Sequence, residues 1–236
     1  MYGRANSLKV NNPLYFSSTE MKTLLKISDC ELMHLRTTGK LQYQRSGNAY
    51  LYSLPNDMSL LSHPLGKQLL EWHLNKHPET LSNIPSPDSK SYLEMLISEI
   101  LIPTERKFGA LTVTYGFTSS KLAAYITKHS SSGTAPQLDQ HAVCELNSKN
   151  NQISKRTGSA CDFIVSNRSM AKITRFIVKN LSFDRLYYYG DNRPIHVSIS
   201  DTPVKHLQIM CESSKGRRYP GTKAFGDNAI LLAESL

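Results

Sequence analysis

Cysteine is scarce in this sequence, and the spacing of the few that occur is informative. Cys30, Cys144, Cys161 and Cys211 lie far apart and include no C-x-x-C pair. This spacing excludes a thiolate zinc knuckle and a dense disulfide framework. It favours reduced thiols in a cytoplasmic protein.

Long hydrophobic runs are also missing. No apolar stretch approaches the ~20 residues of a membrane helix, and residues 1–12 lack the apolar core of a signal peptide. We therefore expect no membrane partner and a chain that stays inside the cell that makes it.

Acidic residues are fewer than basic ones. Lys and Arg number 28 against 19 Asp and Glu, which gives a formal net charge of +9. This balance favours a polyanionic partner such as nucleic acid, although a solvated basic surface gives the same count. With 236 residues, 39% of them hydrophobic, the chain has room for one large domain or for an ordinary domain and a small one.

The first segment, 1–55, contains two closely spaced helix signals. The run from Ser17 to Glu20 supplies capping residues for a first short helix. The run from Ser28 to Glu31 has the S-x-x-E form of a capping box, and Gly39 is placed to end the second helix. The pattern predicts a helix, a tight turn and another helix.

A β-hairpin signal follows these helices. Strand-like runs at 41–44 and 49–53 flank Arg45 to Asn48, whose Gly and Asn suit a tight reversal. The whole run 19–55 resembles the excisionase and MerR-type winged helix-turn-helix domain, in which a second helix precedes a G-K-L and a basic hairpin. The resemblance implies double-stranded DNA as partner, with the second helix in the major groove and the hairpin along the phosphates.

The same resemblance implies where the DNA contacts lie in this sequence. They fall on the exposed side of the second helix and on the hairpin, at His34, Arg36, Lys40, Arg45 and Asn48. Asp29 and Glu31 add negative charge to the second helix. The alternative interpretation is a small helical module for protein docking, with its charges solvated.

A polar, proline-punctuated stretch comes next. Residues 56–90 are interpreted as a linker with a short helix at 67–74. His63, His73 and His77 lie near Trp72, but their spacing matches no established metal site, so we expect packing or solvated roles for them.

The remaining residues, 91–236, mix helix and strand signals, with the strands concentrated late. Pro103 is expected to bend or end the first helix of this part. The fold class is predicted to be α+β, a small winged domain followed by a domain with a mainly antiparallel sheet. The predicted helices are 91–101, 119–128 and 169–180, and the predicted strands are 110–115, 160–165, 184–189, 195–200 and 207–212.

Three separate segments of this second domain offer side chains that suit a metal ion. His141, Asp162 and His196 supply two imidazoles and one carboxylate. A set of three protein ligands leaves a coordination position for water, which is the pattern of a catalytic zinc site.

These segments, in this order, resemble the zinc D-alanyl-D-alanine carboxypeptidases and the related hedgehog amino-terminal domain, over roughly 92–218. The most specific part is the G-x-A-x-D of the family's S-x-H-x-x-G-x-A-x-D motif, matched at Gly158, Ala160 and Asp162. Two further stretches resemble the family's P-x-R-x-x-F-G and F-D-Q-L segments, namely 102–119 and 183–186. The resemblance implies zinc as cofactor and His141, Asp162 and His196 as its ligands.

The sequence departs from the family pattern at three places. An insertion, 142–157, separates His141 from Gly158, where the family has about two residues. Thr118 replaces the arginine that grips the substrate carboxylate, and a hydroxyl cannot supply a bidentate clamp. Arg193 stands where the pattern has the acidic general base. Peptidoglycan is therefore not the expected substrate.

Other residues are candidates for the missing roles. The candidate bases are Asp184, Asp191 and Glu145 of the insertion. The candidate phosphate or substrate contacts are Arg193, Arg217 and Arg218, of which the last two lie in a basic segment, 213–221, expected to be a loop.

Two functions are compatible with these observations. The first is an intracellular, DNA-associated, zinc-dependent hydrolase. The second is a non-enzymatic DNA-binding regulator, in which a degenerate carboxypeptidase-like domain binds a ligand or mediates homo-oligomerisation.

Overall fold

The computed structural model describes residues 14–74, 76–77, 82–129 and 140–236. The chain divides into two units between His63 and Pro64. The predicted linker is therefore shared between them, and its helix, α3 (Pro64–Glu71), belongs to the second unit. Leu65 and Leu69 of this helix are fully buried, because their i, i+4 spacing places both on one face.

The first unit contains two short helices and a three-stranded antiparallel sheet with the strand order β1-β3-β2. Its elements are β1 (Tyr15–Ser17), α1 (Ser18–Leu25), α2 (Asp29–Thr37), β2 (Tyr43–Ser46), β3 (Ala49–Ser53) and a 3-10 turn at Leu60–Ser62. The predicted order of two helices and a hairpin is confirmed, with the first hairpin strand displaced by two residues.

The ends of the two helices form as their sequences predict. Ser28 accepts a hydrogen bond from the Glu31 backbone, and the Glu31 carboxylate accepts one in return, which is a complete capping box. Ser17 and Glu20 form a second capping box at α1. Beneath the helices lies a small core whose members are all buried: Phe16, Met21, Leu24, Leu32, Leu41 and Tyr52.

The second unit is built on a six-stranded sheet with the order β4-β5-β7-β6-β8-β9. Neighbouring strands are antiparallel except for β6 and β8, so the predicted α+β class with a mainly antiparallel sheet is confirmed. The strands are β4 (Thr112–Tyr115), β5 (Ser159–Ile164), β6 (Arg185–Tyr188), β7 (Ile195–Ile199), β8 (His206–Glu212) and β9 (Arg218–Ala224).

Helices cover this sheet and provide most of its apolar core. They are α3, α4 (Pro87–Leu96), α5 (Ile102–Phe108), α6 (Ser120–His129), α7 (Met170–Asn180) and α8 (Asn228–Glu234). Within the described parts of the chain, none of the helices combines the length and the apolar composition required to cross a membrane.

Pro103 does not end the helix in which it lies. A π-helical turn, Ile97–Leu101, connects α4 to α5, and Pro103 occupies the first turn of α5. Proline lacks an N–H and its ring crowds the carbonyl four residues earlier, so the wider turn accommodates it without breaking the helix.

The carboxyl-terminal part differs from the prediction. The segment 213–221, expected to be a loop, contains the start of β9, and Arg218 is the first residue of that strand. This strand was not predicted because it contains Pro220, and proline is depleted in strands except at the edges of sheets. β9 is indeed an edge strand, at the end of the strand order.

Candidate metal centre

One face of the six-stranded sheet carries two of the predicted ligands. Asp162 on β5 pairs directly with His196 on β7, and His196 pairs with Tyr187 on β6. Tyr115 on β4 pairs with Asp162 from the other side. Directly opposed residues in a sheet point to the same face, so these four side chains form one row across four strands.

The third ligand joins this row from a 3-10 turn, Gln140–Ala142. Oδ1 of Asp162 lies 2.8 Å from Nδ1 of His196 and 3.4 Å from Nε2 of His141. One ligand atom of each residue lies within 4.8 Å of the others. The structure therefore brings the three predicted ligands together, and this group could hold a metal ion.

The triad is buried on its imidazole side and open on its carboxylate side. His141 and His196 are 4% and 2% exposed, whereas the Asp162 side chain keeps 31% of its surface accessible. An ion between these residues would be held by two buried nitrogens and approached past the carboxylate.

His141 is oriented by the backbone around it. Its Nδ1 lies 3.1 Å from the Gly116 carbonyl oxygen, and its own carbonyl accepts a hydrogen bond from the Thr118 N–H. We assign the proton of the neutral ring to Nδ1, because a carbonyl can only accept. In this tautomer Nε2 carries the lone pair with which His141 would bind a metal ion placed between it and Asp162. The insertion 142–157 therefore does not displace His141.

Asp184 stabilises the turn that carries His141. Its carboxylate accepts hydrogen bonds from Nε2 of Gln140 at 2.6 Å and from the Val204 N–H at 3.0 Å, and Nε of Arg185 lies 3.6 Å away. Asp184 is only 4% exposed. The structure thus gives this candidate base a positioning role beside the triad, which the sequence did not indicate.

Asp191 serves as a cap for α7. Its carboxylate accepts hydrogen bonds from the Ala171 N–H at 2.8 Å and from the Ser169 hydroxyl at 2.6 Å. The pKa of Asp191 therefore lies below its usual range, mainly because of the bond from Ala171 and secondly because of the bond from Ser169. Neither Asp184 nor Asp191 is among the groups whose ligand atoms meet at the triad.

Glu145, from the insertion, is also engaged away from the triad. Its Oε1 accepts hydrogen bonds from the Ser86 N–H and from the Ser89 hydroxyl, both at 2.8 Å. These bonds connect the insertion to the start of α4.

Two tyrosine rings fix the orientation of the imidazoles. The Tyr187 ring stacks on His196 with centroids 4.8 Å apart and an angle of 17° between the planes. The Tyr115 ring meets His141 edge to face at 4.5 Å. The sequence signal for Tyr187 was the strand-like run 184–189, but its contact with His196 depends on the pairing of β6 with β7.

The electrostatics of the site favour a cation. Burial alone would raise the pKa of the Asp162 carboxyl, but in the metal-free protein its contacts with the His141 and His196 rings outweigh burial. The pKa of Asp162 therefore lies well below its usual range, and the carboxylate is ionised at neutral pH. Two imidazole nitrogens and an anionic oxygen are ligands that suit a divalent metal ion.

The predicted DNA-contact residues all lie on the surface of the first unit, and Arg36 has a further role. His34, Lys40, Arg45 and Asn48 are exposed. The Arg36 guanidinium lies 3.7 Å from the centroid of the Tyr50 ring and donates a hydrogen bond to the Tyr52 hydroxyl at 3.2 Å. Arg36 therefore packs against the hairpin.

The three arginines proposed as phosphate or substrate contacts are also exposed. Arg193 lies in the turn before β7, Arg217 in the turn between β8 and β9, and Arg218 on β9. Nε of Arg218 lies 3.9 Å from Glu212. The structure thus places two of the three at the β8–β9 turn and the third in a different loop.

No family model, curated protein or solved structure matches this chain. The function is therefore argued from the geometry of the site.

Proposed function

We propose that this protein is an intracellular zinc-dependent hydrolase whose first unit, a winged helix-turn-helix, brings it to double-stranded DNA. The observation that carries the hydrolase part is the convergence of His141, Asp162 and His196, with one ligand atom of each within 4.8 Å of the others. Two imidazoles and one carboxylate match the three-ligand set of catalytic zinc, which keeps one coordination position open.

Each residue of the site has a defined task in this proposal. His141, Asp162 and His196 hold the ion, the Gly116 carbonyl keeps His141 in the tautomer that binds, and Tyr187 restrains the ring of His196. When bound, zinc supplies the Lewis acidity that activates water and polarises a substrate carbonyl. The partly exposed side of Asp162 is the direction from which a substrate approaches.

Zinc content tests the hydrolase proposal. Purified protein is expected to hold one zinc ion per chain, and His196→Ala is expected to lose it, because one of two buried nitrogen ligands is removed. His206→Gln is the matched control, since His206 is a buried histidine of the same sheet but lies outside the triad. Metal analysis after dialysis measures both variants. Wild-type protein that takes up no zinc would eliminate the proposal.

Salt-dependent binding tests the DNA part. Arg45 lies on the exposed hairpin strand β2, and Arg45→Ala is expected to weaken duplex binding and to flatten its salt dependence by about 0.9 units of slope for one lost phosphate contact. Lys26→Gln is the control, because Lys26 is an exposed cation of the same unit outside the hairpin. An unchanged slope in Arg45→Ala contradicts the assigned contact.

One observation favours the second candidate function, a DNA-binding regulator. Asp184, Asp191 and Glu145 are the acidic residues considered as bases, and each is engaged by hydrogen bonds elsewhere. In that case the second unit binds a ligand through its metal or mediates homo-oligomerisation. Zinc-loaded protein that cleaves no peptide or ester from a broad panel, but whose duplex affinity changes with zinc, supports the regulator.

A further inference from the structure

Charge is distributed unevenly over the first unit. No Asp or Glu occurs between Leu32 and Asn56, whereas three basic residues do: Arg36, Lys40 and Arg45. The acidic residues of the two helices lie at their amino-terminal ends. Asp29 is paired with Lys22 at 2.7 Å, and Glu31 is part of a capping box. All formally charged side chains of the hairpin and of the end of α2 that precedes it are therefore cations.

Aromatic rings and guanidinium groups alternate on one face of this hairpin. Arg45 pairs across the strands with Tyr50, and Tyr43 pairs with Tyr52, so all four side chains share that face. Tyr43 meets Tyr50 edge to face at 5.4 Å. We call Arg36, Tyr43, Arg45 and Tyr50 the Tyr-Arg face.

Both guanidinium groups of this face lie near the Tyr50 ring, and the ring of Tyr43 remains accessible. Arg36 and Arg45 lie 3.7 and 5.4 Å from the centroid of Tyr50, and Arg36 is also held by the Tyr52 hydroxyl. Tyr43 remains 46% exposed. Cations that are already ordered lose less side-chain entropy when they bind phosphate, and an exposed aromatic ring is a surface on which a base can stack.

We propose that the Tyr-Arg face binds single-stranded nucleic acid, with a base stacked on Tyr43 and the neighbouring phosphates held by Arg36 and Arg45. This goes beyond the duplex contact proposed above and rests on the first unit being a nucleic-acid binder.

The choice of a single strand over a duplex follows from the same side chains. Bases of a duplex stack on one another, so their ring faces are not available to Tyr43, whereas an unpaired base offers its ring to an aromatic side chain. The amino-terminal end of α2, which a helix-turn-helix directs at the bases, carries Asp29 and Glu31. Arg36 of the same helix lies against the hairpin and not at that end of α2.

Fluorescence anisotropy on the full chain tests this inference, with oligothymidylate of about 20 nucleotides and a duplex of the same length as probes. Wild-type protein is expected to bind the single strand more tightly than the duplex. Tyr43→Ala is expected to weaken single-strand binding about tenfold, whereas Tyr43→Phe keeps the ring and therefore the affinity. Arg45→Ala should lower the salt slope for the single strand by about 0.7.

Each outcome separates this inference from the proposed function. Duplex binding without single-strand binding overturns the inference and leaves the duplex proposal standing. Single-strand binding that depends on Tyr43, without duplex binding, supports the inference and removes the duplex proposal. Single-strand binding that Tyr43→Ala leaves unchanged overturns the stacking contact, and binding of neither probe overturns both.

Discussion

Asp162→Ala is expected to abolish zinc retention and with it any hydrolase activity. Its Oδ1 is the atom that both imidazoles face, at 2.8 and 3.4 Å, and it is the only anionic ligand of the triad. Removal of a residue that supports a metal ligand already costs about 10- to 100-fold in affinity, so loss of a ligand should cost more than about 100-fold. Zinc content after dialysis and zinc titration of the metal-free protein measure the effect.

Two comparisons sharpen this experiment. Asp162→Asn retains the shape of the side chain but removes its charge, so it separates the electrostatic part of the loss from the steric part. Asp191→Ala removes a carboxylate of the same unit that caps α7, and it should leave zinc binding intact. Nucleic-acid binding by the first unit should persist in all three variants. Retention of zinc by Asp162→Ala would show that Asp162 is not a ligand of the ion.

Gly158→Ala is expected to destabilise the second unit strongly. Gly158 has a φ of +107°, and an added Cβ would overlap the backbone oxygen of Ile199 and lie 2.9 Å from its carbonyl carbon. The backbone conformation costs about 1–3 kcal/mol for a residue with a side chain. The overlap with rigid backbone adds to this cost, so a total above about 3 kcal/mol is expected.

Thermal unfolding measures this loss, and the chain offers a matched control. A loss of that size should lower the melting temperature of the second unit by roughly 2–4 °C for each kcal/mol. Gly109 has a similar φ of +95°, but its added Cβ would meet nothing within 4 Å. Gly109→Ala therefore reports the conformational cost alone. Equal losses in the two variants would contradict a close approach of the chain to Ile199.

The resemblance to the carboxypeptidase family named all three candidate ligands, but the sequence did not show what holds His141 in place. The G-x-A-x-D match singled out Asp162, and the family's order of segments implied that His196 shares its site. The position of His141 depends on bonds to the Gly116 carbonyl and, through Gln140, to Asp184. The two bonds join residues that are 25 and 44 positions apart in the sequence. A local sequence pattern cannot predict contacts over such separations.

The same limit applies to the fold. Capping boxes and the hairpin turn are local signals, so the two helices and the hairpin of the first unit were predicted closely, whereas β1 was not. The sequence predicted a short helix in the linker, but it did not show that α3 belongs to the second unit, because its contacts with β4 arise only in the folded chain. Asp184 and Asp191 are the same residue type, so the sequence could not assign them different roles. Their hydrogen bonds in the fold show that Asp184 supports the turn that carries His141 and that Asp191 caps α7.

The proline of β9 has a consequence for self-assembly. An exposed edge strand offers unpaired backbone groups to a second copy of the chain, and such pairing is a common route to aggregation. Pro220 has no N–H to offer, and Arg218 and Lys223 place exposed positive charges on the same strand. Two copies that paired edge to edge at β9 would bring positive charges close to one another. They would also lack the backbone N–H donor that Pro220 cannot supply. Continuous sheet extension at β9 is therefore disfavoured.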